Sequence, residues 1–363
     1  MADKANGILK SVRGGATLVN AVQPAMGGIF VPDRLLQQYG LAEGASVTGE
    51  ARQGPQGREL ASVDSVCGLP PGEFRTRTHF EKLVAIDPDR RFMLGVRGDV
   101  AMRAVDLLAP LGMGTRGMIV APPKAGKTAL LEQVAAAIRA GQPDARIVVL
   151  LIDERPEELT YFRRTVSAEV FASSSDRPPA EHAALAEFML AHVRIELECG
   201  HDIVVLLDSL TRLVRAFNLR SASGRSLSGG IDAAAFDIPR RFFGLARNIE
   251  NGGSVTLLAT LLVDTGSRMD QVIYEEFKST GNSEIVLDSR LAQDHIFPAI
   301  DVHRTSTRKE ERLYDSEESA SLALLRRTLA GYSPRDAMLH LLNLIAGSAT
   351  NAELLKRLRP GGR

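Results

Sequence analysis

The sequence predicts an α/β fold: a core built on a parallel sheet, preceded by a small β-barrel and followed by C-terminal helices. Three observations carry this. First, apolar runs of strand length alternate with helical stretches. The runs are MIV (118–120), IVVLLID (147–153), DIVVLLD (202–208) and SVTLLATLLV (254–263); the stretches include TALLEQVAAAIRA (128–140) and AALAEFMLAHVRIELECG (183–200). Strands apolar on both faces and joined through helices form a βαβ series with a parallel sheet. Second, residues 1–75 hold short apolar runs among glycines and turn residues, such as ATLV (16–19), GGIFV (27–31) and ASVTGEA (45–51). Short strands at close spacing suit a small barrel. Third, the tail from 321 to 358 has apolar residues at helical spacing.

Taken in order, residues 1–75 read as the barrel, with DRLLQQYGL (33–41) as one short helix inside it. Residues 76–100 read as a linker, 101–330 as the α/β core and 331–363 as a C-terminal helical segment. A chain of 363 residues is long enough for two or three such units.

Lys and Arg number 44 and Asp and Glu 44, so no global positive field draws the chain to a polyanion; any such site must be local. Aromatic residues make up 5% and Trp is absent, which limits stacking of many bases on aromatic platforms. Cys67 and Cys199 belong to no CxxC pair or Cys/His cluster and read as reduced, packed thiols. The N-terminus MADKANGILK has no apolar run of signal-peptide type, and the apolar strands are far too short to span a membrane. A cytoplasmic protein with no membrane partner is expected.

The sharpest motif is APPKAGKT, Ala121 to Thr128. It fits the P-loop pattern G-x-x-x-x-G-K-[ST], with Ala121 where the first glycine would stand. A strand precedes it and a helix follows, the context the motif needs. Gly126 lets backbone N–H groups turn towards phosphate, and the helix N-terminus adds positive potential. Lys127 reaches the β- and γ-phosphates of ATP, and Thr128 offers a hydroxyl to Mg²⁺. Asp208, closing DIVVLLD, is placed to hold Mg²⁺, although Asp-Ser-Leu-Thr also suits a helix N-cap. In LLIDERPEE (150–158), Asp153 and Glu154 stand just past another strand, and Glu154 is the expected general base for the attacking water.

Together with SGGIDAAAF (228–236), RRFFGLARNIENGGSVTLLAT (240–260), VDTGSRMDQVIYEEFKSTGN (263–282) and FPAIDVHRTSTRKEE (297–311), these motifs resemble the Rho family of bacterial transcription termination factors. The resemblance is dense from about 101 to 345 and thin before 75. It implies a RecA-like core, an oligonucleotide-binding barrel of cold-shock type, a homohexameric ring, ATP and Mg²⁺ as cofactors, and single-stranded RNA and RNA polymerase as partners. It also implies roles for particular residues. Gly112, Met113, Gly114, Thr115, Arg116 and Gly117 match one nucleotide-contact stretch, Lys124, Ala125, Gly126, Lys127, Thr128 and Ala129 another, and Arg155 a further contact. Phe297 falls where an aromatic stacks on adenine. Arg308 falls on the arginine finger, which acts on the neighbouring subunit's ATP. Arg225, Ser226 and Gly229 in one loop, Arg268 in a second, and Lys278 beyond it match the RNA contacts of the central channel.

The barrel departs from the family. Ala16 and Leu18 fall where RNA-stacking aromatics are expected, Glu59 and Leu60 replace others, and Phe30 alone remains as a barrel contact. Within 1–75 the basic residues Lys4, Lys10, Arg13, Arg34, Arg52, Arg58 and Arg75 are matched by Asp3, Asp33, Glu43, Glu50, Glu59, Asp64 and Glu73. His295 stands where the family has an arginine near the subunit interface. Two functions follow: an RNA-dependent ATPase and helicase that terminates transcription, or a paralogue with an intact ATPase that no longer loads RNA on its barrel and regulates a Rho protein or acts on another polymer. Another RecA-type hexamer, such as a rotary ATP synthase subunit, is disfavoured by the TRKEE and GSRMD stretches.

Overall fold

The structure, a computed structural model, describes residues 3–20, 28–54, 57–221 and 228–359. Five strands close the N-terminal barrel: β1 (Asp3–Val12), β2 (Gly15–Val19), β3 (Ile29–Val31), β4 (Ser46–Gly54) and β5 (Gly57–Val66), in the order β1-β2-β3-β5-β4. Closure removes free strand edges. The helix Asp33–Tyr39 lies between β3 and β4 and stops at Gly40, which takes the left-handed conformation (φ 62°) that glycine adopts without strain. Leu9, Ala16, Leu18, Val31, Val47 and Leu60 fill the interior.

The second sheet has nine strands: β6 (Ala85–Ile86), β7 (Arg116–Ala121), β8 (Arg146–Glu154), β9 (Glu169–Ser174), β10 (Asp202–Asp208), β11 (Arg247–Ile249), β12 (Ser254–Leu262), β13 (Ser283–Val286) and β14 (Ser306–Thr307). Its main order is β14-β13-β7-β12-β10-β8-β9. From β13 to β9 every pairing is parallel, as expected for strands joined through helices. Alternate residues feed two cores. Ile119, Val149, Leu151 and Leu206 face the helices Val100–Leu108 and Lys127–Gly141, while Met118, Val120, Val148 and Val205 face Pro179–Glu198 and Leu210–Arg220. Both faces are therefore dry, and the open ends of the strands are left for chemistry.

The C-terminal helices Ser316–Ala330, Pro334–Ala346 and Asn351–Arg357 share the first of these cores. Arg103, 4% exposed, ties them in: its guanidinium donates to the carbonyls of Ile345 and Ser348, to Ser348 Oγ and to Asn351 Oδ1. The barrel rests on the helix Pro179–Glu198. Ser46 Oγ donates to Glu196 Oε1 at 2.7 Å, and His192 Nδ1 lies 2.6 Å from the Gly44 carbonyl. Gly44 is needed there, because a Cβ would stand 2.4 Å from the His192 nitrogen. Among the described residues no helix is long and apolar enough to cross a membrane.

Candidate nucleotide site

The P-loop leaves the C-terminal end of β7 at Ala121 and enters the helix Lys127–Gly141. Gly126 caps that helix with φ 92°, a left-handed turn that points the first N–H groups out of the loop. Lys124, also left-handed (φ 63°), and Ala129 are exposed along the loop, Ala125 is buried beneath it, and Thr128 is half-buried on the first turn.

Asp208 ends β10, two strands away from β7, and is 1% exposed. Lys127 Nζ donates to both of its carboxylate oxygens, and Thr260 Oγ1 donates to Oδ1 at 2.8 Å. The cap of the following helix is Ser209, whose side chain accepts from the Arg212 nitrogen. The N-cap reading of Asp208 is thereby excluded, and its carboxylate faces the P-loop.

Glu154 ends β8 and owes its direction to a bulge. β8 pairs Ile152 with Ser173 and Glu154 with Ser174, leaving Asp153 as the extra residue with φ 56°. An unbroken strand would put Glu154 on the face of Ile152, away from the P-loop helix. The inserted residue turns it to the face of Leu151, on the P-loop side. There Glu154 Oε1 lies 3.5 Å from Lys127 Nζ and 3.4 Å from Arg212 Nε. Burial raises its pKa above the ordinary glutamate value, and the nearby Asp208 charge raises it further; Lys127 and Arg212 pull against both. A partly desolvated carboxylate with a raised pKa beside a phosphate-binding loop suits a general base.

Sequence reasoning did not single out Arg212, Thr260 or the bulge at Asp153. The signal for Arg212 was its place on the first turn after Asp208. Arg212 also donates to the Asp153 carbonyl, so one side chain braces both residues at the end of β8. Arg155 caps the next helix and is exposed.

Phe297, 52% exposed, stands over the P-loop, its ring 3.7 Å from where a Gly126 Cβ would be. It borders a cavity of about 360 Å³ with Gly126, Ala129, Leu130, Gln133 and Val100. An apolar slot with one aromatic wall next to a phosphate loop can take a planar base. Exposed His295 (φ 57°) lies two residues before Phe297.

Other predicted residues do not join this cluster. Gly112 to Gly117 sit at the opposite end of β7, roughly 17 Å from the P-loop by strand rise. Gly112, Met113, Gly114 and Thr115 are buried there, with the Gly114 nitrogen donating to Thr256 Oγ1 and Thr115 wholly enclosed. They shape the base of the sheet and do not meet the nucleotide cluster of their own chain. Arg308 follows β14 at that same end. It is exposed, its backbone nitrogen donates to the Asn282 carbonyl, and it is remote from its own P-loop.

Of the two predicted channel loops, Arg225 and Ser226 lie outside the described residues. Gly229 (φ 79°) abuts the backbone of Arg268, so the ends of the two loops meet. Arg268 is exposed at the start of the helix Arg268–Lys278. Arg215, on the helix that begins beside Asp208, clamps buried Asp270 at 2.6 Å, and Thr265 Oγ1 donates to the same carboxylate. Lys278 is at the far end of its helix, roughly 15 Å from Arg268, and lies over the Tyr274 ring. It is not part of the loop.

The barrel requires a correction. Ala16 and Leu18 are 3% and 2% exposed and point into the barrel. They are core residues, and the outward positions beside them are Gly15 and Thr17. Phe30 packs over Gly15 and pairs with Glu59, whose carboxylate accepts from Arg52 Nε at 2.7 Å. The remaining aromatic therefore has a carboxylate at its side.

A family model of the ATP synthase alpha/beta nucleotide-binding domain matches residues 101–307. The chain is 45% identical over 348 residues to transcription termination factor Rho of Aquifex aeolicus (strain VF5), covering 93% of this chain and 80% of that one. It is 47% identical over 337 residues to the Rho factor of Streptosporangium roseum, covering 93% and 87%. With the Rho factor of Streptomyces lividans the identity is 46% over 344 residues; 93% of this chain is covered but only 49% of the relative, so the chain spans about half the length of that protein. Among solved structures, a type III secretion ATPase of pathogenic bacteria superposes with a TM-score of 0.65 at 25% identity, covering 77% of this chain and 88% of that one.

Proposed function

The chain belongs to the transcription termination factor Rho family, with an ATP synthase alpha/beta nucleotide-binding domain, and from that premise we propose that it is an RNA-dependent ATPase that works as a ring and terminates transcription by moving on nascent RNA. The observation that carries the reading is the cluster of Lys127, Glu154 and Asp208 at the C-terminal ends of three strands, beside an aromatic-walled slot.

Mg²⁺ fits this donor set. One carboxylate, Asp208, and one hydroxyl, Thr128, are what an ion needs that takes its remaining ligands from phosphate and water. Asp208 and Thr128 would hold the ion, which would supply charge neutralisation at the transferring phosphoryl group. The rest falls to the chain's own residues. Lys127 exchanges its contact with Asp208 for the phosphates of ATP. The P-loop N–H groups hold the phosphate oxygens, and Phe297 covers the base. Glu154 accepts a proton from the attacking water, with Arg212 keeping its carboxylate in place. Arg308, far from its own P-loop, acts on the ATP of the adjacent subunit, so hydrolysis requires assembly. Arg268, with Arg225 and Ser226, contacts RNA in the channel. The Arg215–Asp270 pair links that loop to the helix that begins beside Asp208.

Phosphate release from ATP tests the reading, measured alone and with poly(C) or poly(U). Strong stimulation by RNA is expected; equal rates under all three conditions sink the motor. A second reading has its own support in the barrel, where the outward positions Gly15 and Thr17 carry no aromatic and Glu59 flanks Phe30. Under it the chain is a paralogue whose ATPase is kept and whose barrel does not load RNA. Poly(C) that stimulates hydrolysis but does not bind the barrel separates channel loading from barrel loading.

A further inference from the structure

We propose that Cys67 and Cys199, the chain's two cysteines, close into a reversible disulfide when a hydroperoxide reaches them, fastening the barrel to the core. Far apart in sequence, they meet at the junction of the two units. Cys67 follows β5 in the barrel, and Cys199 caps the helix Pro179–Glu198 of the core. Hydrogen bonds through Ser46 and Glu196 tie their two segments together. The Cys67 nitrogen donates to the Ser46 carbonyl at 2.6 Å, and Ser46 Oγ donates to Glu196 Oε1 at 2.7 Å. Glu196 is one helical turn before Cys199, whose nitrogen donates to the Glu196 carbonyl at 3.2 Å. Cys67 is buried in the barrel interior, Cys199 packs against that interior beside Ile195, and the Cys199 side chain is near enough to push the Cys67 thiol up.

The junction is also reachable. A cavity of about 520 Å³ between barrel and core opens on the Cys67 side of the pair, beside Ser46, Arg146, Glu196 and His201, while Cys199 lies outside that lining and is reached at its own half-buried surface. Cys67 is 2% exposed, whereas Cys199 is half-buried. The contact with Cys199 is the main cause that pushes the Cys67 thiol up, and burial adds to it. Cys199, the more exposed of the two thiols, is the first to react.

The chemistry balances in two steps. Cys199 sulfur attacks the peroxide: an S–O bond forms, the O–O bond breaks, and one oxygen leaves as water or alcohol with the thiol proton. Cys67 sulfur then attacks the sulfenic acid: the S–S bond forms, the S–O bond breaks, and the hydroxyl leaves as water with the Cys67 proton. The thiol pair loses two electrons and the peroxide gains them. A small dithiol reverses the reaction by exchange.

The inference is independent of the hydrolytic reading, because its readout is chemical. The full chain is treated with hydrogen peroxide, alkylated, and mapped by mass spectrometry without reduction. The expected result is a Cys67–Cys199 linked peptide within one chain, with free thiols falling from two to none and restored by dithiothreitol. Oxidised protein should also resist protease cleavage between residues 76 and 100 better than reduced protein. Cys199→Ser, at the half-buried position, should fold and form no linked peptide; Cys67→Ser should behave alike. The proposal is overturned if both thiols stay open to alkylation, if Cys199 is oxidised to the sulfinic acid while Cys67 stays free, or if the linked peptides join different chains.

Discussion

Asp153 fixes the geometry of the nucleotide cluster without belonging to it. Its left-handed backbone makes the bulge that turns Glu154 towards Lys127. A strand end followed by an acidic pair is visible in the sequence, so Lys127, Glu154 and Asp208 were all legible as candidates. The bulge was not, because an Asp tolerates a positive φ but is equally ordinary at a regular strand end, so its presence alone does not signal one. Nor was the brace from Arg212, which depends on the helix packing back over β8. The raised pKa of Glu154 gives a signed expectation. As a base it must be ionised, so turnover should fall on acidification with a midpoint above the ordinary glutamate value of 4.5. The folded state holds this proton more tightly than the unfolded chain, so ionisation opposes folding as pH rises through and above 4.5. Glu154→Gln should therefore raise the melting temperature at neutral pH, by about 1–2 °C, as read by calorimetry. A fall on substitution would contradict the account.

Among the elements, the parallel strands were the most legible. Runs apolar on both faces have few alternatives, and β7, β8, β10 and β12 fall on the expected segments. Short strands, β9 (EVFASS) and β13 (SEIV), escaped notice because each holds an apolar run of only two or three residues, too short to stand out from a loop. The barrel was legible as short strands, but its register was not. A slip of one residue exchanges inside for outside, and Ala16 and Leu18 proved to be internal. The terminal helices read as an appendix yet share the main core through Arg103. Arg103→Met takes the guanidinium donor from the Ser348 carbonyl and from Asn351 Oδ1, and should destabilise the chain by about 2–4 kcal/mol. Urea unfolding measures this; a change below about 0.5 kcal/mol would mean that apolar packing alone holds these helices.

At the scale of the whole molecule, the P-loop cluster and the proposed finger stand apart in one chain. The P-loop cluster lies at one end of the sheet and Arg308 at the other, so neither serves the other within a subunit. A zero net charge leaves any attraction to a polyanion to local basic loops. Arg308→Ala should bind ATP normally and lower turnover by about 10³–10⁵-fold. Mixed with Lys127→Ala chains it should recover some activity, because an intact P-loop then faces an intact finger; steady-state hydrolysis of the mixture checks this. The most direct test of the central claim is single-turnover hydrolysis of ATP with Mg²⁺ and RNA by Glu154→Gln beside the unaltered chain. The account predicts ATP binding within about twofold and a rate lower by about 10²–10⁴-fold. Hydrolysis at the unaltered rate would contradict it, and would show that the bulge at Asp153 does not deliver the catalytic base.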